Sequence, residues 1–114
     1  MTYENGGGGG KIKLLDQGAF DNTAYSVMIH PATRNEVDPL MIAVKQIDIE
    51  YFGKAAHASG SAYVGKNALD AQILAYNNIS ALRQQLQSVE KVHGIITHGG
   101  ESPNIIPDYT RSSW

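Results

Sequence analysis

Ile42-Ala-Val-Lys-Gln-Ile-Asp-Ile-Glu-Tyr-Phe52 turns, over its second half, into strict alternation. Ile47, Ile49 and Tyr51 fall on one face, and Gln46, Asp48 and Glu50 on the other. A period of two predicts a strand with one buried and one wetted face, as in an antiparallel or mixed sheet. Further on the period changes. Ala68, Ala71, Ala75, Ile79, Leu82 and Leu86 recur at three- and four-residue steps, which predicts a helix over 68–86 with one apolar stripe. Asn67 stands where an N-cap belongs, with Asp70 three residues on as in a capping box. Residues 92–97 read as a second strand and residues 109–114 as the start of a third. Strand, helix, strand and incipient strand make the first half of a split β-α-β ferredoxin-like unit, so the expected class is α+β. Ile47, Ile49, Ile79 and Leu82 are the expected core. The strand over 109–114 is expected to present an unpaired edge, and such edges favour self-association.

Toward the N-terminus the signals are weaker. Residues 6–10 are all glycine, a run too flexible to enter a regular element. Ile12, Leu14 and Leu15 followed by Gly18 predict a short helix over 11–17 with a glycine stop. Residues 25–29 are mostly apolar and end at His30-Pro31, which predicts a short buried strand. The polar stretch 34–39 is expected to be a loop or linker.

Composition excludes several function classes. The 114 residues suffice for one ordinary domain, with 42% hydrophobic and 18% charged residues. A net charge of -2 and a pI near 6.0 give no basic footprint for nucleic acid. No apolar run approaches the ~20 residues of a membrane span, so no membrane partner is expected. The absence of cysteine removes disulfides and thiolate metal sites. The glycine-rich, polar start does not resemble a signal peptide, and the expected location is cytoplasmic.

Few residues carry candidate chemistry. The glycine run cannot be a phosphate loop, because the first glycine of that motif would fall on Asn5 and Ile12 occupies the hydroxyl position. It is either a flexible linker or a metal-site loop, since Glu4 directly precedes it. His30 ends an apolar segment beside a proline, and with Glu4 it would make a carboxylate–imidazole pair suited to zinc. Their separation is not a local ligand motif. His57 lies among Ala55, Ala56, Ala58 and Ser59, small residues that allow close approach, whereas His93 and His98 read as surface residues. Asn104, between Pro103 and Ile105, is either a turn residue or a hydrogen-bond donor to a substrate carboxylate.

Taken in order, these motifs resemble peptidase family M-twenty, the aminoacylase and carboxypeptidase-G class, and within it the aminobenzoyl-glutamate hydrolases and β-alanyl-lysine dipeptidases. The residues carrying the likeness are Glu4 with its glycine loop, Asp16-Gln-Gly-Ala-Phe20, Met28-Ile-His30-Pro31, Gly53-Lys-Ala-Ala-His57, Asn67-Ala-Leu-Asp70 and the segment 99–107. The resemblance implies a catalytic domain with two zinc ions and an inserted lid that forms a homodimer. Residues 1–38 would belong to the first and 39–114 to the first half of the second. It further implies that Glu4 and His30 are metal ligands, that His57 polarises the scissile carbonyl in the partner subunit's site, and that Asn104 binds the substrate carboxylate.

The departures are specific. The family's general base, the first Glu of a pair, is Tyr3 here, and the upstream and final metal ligands are absent. The expectation is a fragment of a zinc-dependent amidohydrolase acting on a dipeptide or N-acyl amino acid, inactive by itself. The alternative is a stand-alone dimerisation module without catalysis.

Overall fold

The structure, a computed structural model, describes residues 9–114. Glu4 therefore lies outside the described residues. The chain separates into two compact units, Met1–Lys45 and Gln46–Trp114.

Among the described residues the first unit holds one regular element, α1 (Gly10–Asp16), which takes in the last glycine of the run against the expectation that no part of it enters an element. It ends as the glycine stop predicts. Gly18 adopts φ +74°, its N–H bonds Leu15 O at 2.9 Å, and the N–H of Ala19 bonds Leu14 O at 3.0 Å. These two bonds form a Schellman cap, whose left-handed residue is usually glycine. The strand expected over 25–29 does not form. Tyr25, Val27 and Ile29 are exposed, and among the described residues no ladder pairs the segment. An apolar run becomes a strand only when a partner supplies the ladder, and composition cannot report the partner.

The second unit contains β1 (Asp48–Phe52), β2 (Ala56–His57), α2 (Ala68–Leu82), β3 (Ile95–His98), β4 (Ile105–Ile106) and β5 (Tyr109–Ser113). Antiparallel pairing gives a three-stranded sheet in the order β1-β5-β3 and a separate β2-β4 ribbon. β1 and β3 flank β5, the split β-α-β arrangement with the gap filled by the next strand. The α+β, partial ferredoxin-like class is the observed one. The incipient third strand, however, is the centre of the sheet and not its edge. A helical crossover leaves room for one strand between β1 and β3, and β5 is paired on both sides.

Boundaries move for the same reason. Ile47 exchanges both backbone hydrogen bonds with Trp114, each at 2.8 Å. Residues 42–46 face no strand, so β1 is shorter than the alternating stretch. α2 starts where its cap says, with Asn67 Oδ1 accepting from Leu69 N–H at 2.9 Å. It passes into a 3-10 turn at Arg83–Gln85. Among the described residues no helix is long and apolar enough to cross a membrane.

The core is more polar than the apolar stripe predicts. Gln72, Thr110 and Ser112 are fully buried, whereas Ile47 is 50% and Leu82 51% exposed. Gln72 Nε2 donates to Ser112 Oγ at 2.9 Å, Trp114 Nε1 donates to the same oxygen at 2.8 Å, and Thr110 Oγ1 donates to Ala68 O at 3.1 Å. The central strand brings hydroxyls inward, so the helix turns Ala68, Gln72, Ala75, Tyr76 and Ile79 toward it. Ile49 and Ile79 stay in the half-buried layer; Ile47 and Leu82 do not join a core. Truncating Leu82 to Ala should cost at most about 1 kcal/mol, half the usual value of a buried aliphatic side chain. Ser112→Ala strands one buried and one part-buried N–H donor and should cost about 1–3 kcal/mol. Urea unfolding of both variants checks the order, and a larger loss at Leu82 would contradict it.

Candidate functional site

β2 and β4 bring together the two segments that sequence spacing leaves far apart. His57 pairs with Ile105 and Ala56 with Ile106, and Ala58 N–H bonds Asn104 O at 2.9 Å. The ribbon is held against the rest of the unit by small residues. A Cβ on Gly65 would meet Ala56 Cβ at 2.9 Å and Ile106 Cδ1 at 3.0 Å. Lys54 and Lys66 exchange backbone bonds at 2.9 Å in both directions, which ties the approach to β2 to the start of α2.

His57 ends its strand in a turn whose tightness is set by its own carbonyl, which accepts from Gly60 N–H at 3.2 Å and Ser61 N–H at 3.1 Å. The ring is exposed. Its Nδ1 accepts the backbone N–H of Ser59 at 3.3 Å, with the Ser59 hydroxyl 3.1 Å away. Asn104 occupies a β-turn closed by Ile105 N–H to Ser102 O at 3.2 Å. No residue other than glycine has positive φ among the described residues, which makes this a type I turn with Pro103 at its first central position. The Ser102 hydroxyl donates to Asn104 Oδ1. Asn104 is thus both a turn residue and a presented amide, so its two sequence readings do not exclude each other.

Beside the ribbon opens a recess of about 490 Å³, lined in part by Ala58, Asn67, Leu69, Gly100, Glu101 and Pro103. The side chains of His57 and Asn104 are not part of that lining. What the junction offers chemically is a pair of nitrogen donors, one imidazole and one amide, on exposed and rigidly paired backbone. Such groups can hydrogen-bond carboxylate or oxyanion oxygen.

The perturbed titrations lie apart from this junction, on the sheet face away from α2. Asp48 is held below its ordinary value of 3.8 by the hydrogen bond from Ser113 Oγ at 2.6 Å and then by Arg111. Tyr109 is raised above 10.0, chiefly by donating its hydroxyl to Glu50. A depressed carboxylate stabilises the fold above its unfolded value and loses that contribution as pH falls through the folded one. Acid titration should therefore weaken the β1–β5 pairing below 3.8. Asp48→Asn should flatten that limb of the stability–pH curve, by an amount that salt reduces because the pair is exposed. An unchanged acid limb would rule out Asp48 as its source.

His30 belongs to the first unit and is exposed. Its Nδ1 donates to Pro31 O at 2.8 Å, which leaves Nε2 as the lone-pair nitrogen. That tautomer suits a metal ligand. Among the described residues, however, no group of three or more His, Cys, Asp or Glu side chains comes together. The described residues alone do not fit a metal centre, and the pairing of His30 with Glu4 involves a residue outside them. Spacing overlooked Ser59 and Ser102, each two positions from a site residue, where a hydroxyl can fold back on its neighbour.

No family model matches the chain. Its curated relatives include the Xaa-Arg dipeptidases of Mus musculus, 48% identical over 103 residues, and of Homo sapiens, 47% identical over 103. Both alignments cover 90% of this chain and 24% of the relative. A subunit of the p-aminobenzoyl-glutamate hydrolase of Escherichia coli is 33% identical over 102 residues, covering 88% of this chain and 21% of that protein. The chain spans about a quarter of the length of the curated relatives it matches. A crystal structure of a protein described as an aminohydrolase, from methicillin-resistant Staphylococcus aureus, superposes with a TM-score of 0.50 at 20% identity. That match covers 60% of this chain and 18% of the other, and it supports the fold. The chain is homologous over nearly its whole length to these dipeptidases and aminobenzoyl-glutamate hydrolases, which bears out its resemblance to peptidase family M-twenty.

Proposed function

We propose that this chain is part of a metal-dependent amidohydrolase that cleaves the amide bond of a dipeptide or an N-acyl amino acid. The observation that carries the reading is the β2–β4 junction, which seats His57 beside the Asn104 turn within a segment 48% identical to a dipeptidase. His57 donates to the carbonyl oxygen as it becomes an oxyanion, and Asn104 holds the carboxylate of the C-terminal residue. Exposure of both groups is consistent with a substrate bound by another subunit, so the working form is a homodimer joined through the lid. Residues 39–114, which include the compact unit Gln46–Trp114, form the first half of the lid. Two zinc ions, with His30 and Glu4 among several ligands, would activate the water nucleophile when bound. The described residues do not complete that centre, and the chain by itself is inactive.

The test is hydrolysis by the full-length enzyme of a small panel of Xaa-Arg dipeptides, neutral dipeptides and N-acyl amino acids. Turnover of at least one class is expected, with KM raised by Asn104→Ala about tenfold or more for the loss of charge-assisted hydrogen bonds. A full-length enzyme that cleaves none of them would overturn the reading.

A further inference from the structure

Each proposed site residue has its acceptor atom turned toward a serine two positions away. Ser59 N–H can only donate, so Nδ1 of His57 must accept, and the neutral ring carries its proton on Nε2. Ser102 Oγ–H engages Oδ1 of Asn104, which leaves both Nδ2 protons of the amide for a ligand. Neither His57 Nε2 nor Asn104 Nδ2 has a hydrogen-bond partner among the described residues. The coincidence is physical. A neutral imidazole and a primary amide are each donor at one end and acceptor at the other. Turned about, either would present a lone pair to an anionic oxygen and repel it. At His57 the main-chain N–H of residue 59 already occupies the acceptor end, and the Ser59 hydroxyl, 3.1 Å from the same nitrogen, is a second group that holds the ring there; at Asn104 the Ser102 hydroxyl is the donor.

Resting on the reading that these two groups meet the oxyanion and the substrate carboxylate, we infer that Ser59 and Ser102 are positioning residues for His57 and Asn104. They make the junction a two-donor site selective for ligands that carry an anionic oxygen at each position. The two serines act on different steps. Ser102 serves an interaction present in the ground state as well as the transition state, and so acts on KM. Ser59 serves an interaction that strengthens only as charge develops, and so acts on kcat.

The full-length enzyme should distinguish them. Ser102→Ala is expected to raise KM about five- to tenfold with kcat retained, the usual worth of one hydrogen bond. The effect should disappear on the same substrate with its C-terminal carboxylate amidated. Ser59→Ala, which keeps the main-chain N–H, should lower kcat about fivefold at unchanged KM. Threonine at either position should restore the parent values. An effect of Ser102→Ala that is equal on carboxylate and amide substrates, or no effect of either variant, would overturn the inference. Nitrogen-15 NMR of His57 in the 114-residue chain is the readout that needs no activity. A bare Nδ1 with a protonated Nε2 is expected, and an Nδ1–H ring overturns the Ser59 half outright. Should the enzyme prove to cleave no amide, the functional reading falls, and a change in the His57 nitrogen-15 shifts between the parent and Ser59→Ala decides whether the Ser59 hydroxyl orients the ring.

Discussion

Full-length enzyme carrying His57→Ala is expected to turn over its amide substrate about 10²–10³-fold more slowly, the usual cost of losing one oxyanion donor. In free energy that is about 3–4 kcal/mol of transition-state stabilisation. Three features of the structure separate this loss from a folding defect. The ring is exposed, so truncation removes little packing. The β2–β4 ribbon is held by main-chain bonds, which alanine keeps. And His57 joins no metal-binding cluster among the described residues, so metal content should be unchanged. KM should move little, because a neutral carbonyl gains far less than an oxyanion from the same donor. Which protomer's site uses His57 can be identified in the same experiment. If the ring serves the partner, coexpressing His57→Ala with a protomer disabled at its metal site should restore one working site per mixed dimer. Unchanged kcat in the single variant would remove His57 from catalysis altogether. Failure to complement, with heterodimers shown to form, would place it in its own protomer's site.

The elements legible in the sequence were those whose information is local. Alternation from Asp48 to Phe52, the Asn67 cap and the Gly18 stop each depend on neighbours within a few positions, and each stands in the structure. What escaped depends on pairing between distant segments. Residues 109–114 read as an unfinished edge because their two partners, β1 and β3, lie far back in the chain. The buried Gln72 was passed over because an apolar stripe counts methyl groups and cannot see that Ser112 will supply a hydroxyl. The segment 25–29 failed in the opposite sense, with suitable composition and no strand to join. The site followed the same division. His57 and Asn104 were singled out by their settings and by resemblance, but their adjacency exists only through the β2–β4 register. Ser59 and Ser102 bond locally, yet serine two positions from a polar residue is too common to select without coordinates.

Gly53→Ala should be among the most damaging single-methyl changes in this chain, and its cost is a matter of which atom the methyl meets. A Cβ at Gly53 would stand 2.0 Å from the carbonyl oxygen of Lys66, and 3.1 Å from Ala68 N. Gly94 looks comparable at first, since its Cβ would meet Trp114 Cδ2 at 2.2 Å. The difference is that an indole can swing away, at the expense of its tilted ring contact with Tyr76 and its bond to Ser112 Oγ, whereas the Lys66 carbonyl cannot. That oxygen accepts Lys54 N–H at 2.9 Å, and two residues later Ala68 N–H bonds Pro107 O at 2.9 Å. Displacing it therefore disturbs the Lys54–Lys66 bridge, the start of α2 and the loop before β5 together. Overpacking in a well-packed region costs about 1–3 kcal/mol and occasionally more, and a clash with hydrogen-bonded backbone belongs at or above the upper end. Gly94→Ala belongs nearer the lower end, because one side chain can absorb it. Denaturant unfolding of the two variants should rank Gly53→Ala as the less stable. The reverse order would mean that the β1–β2 connection yields more readily than the indole. In the folded fraction of Gly53→Ala the amide signals of Lys54, His57 and Asn104 should shift together, since the bridge that bends is the one leading into the β2–β4 ribbon.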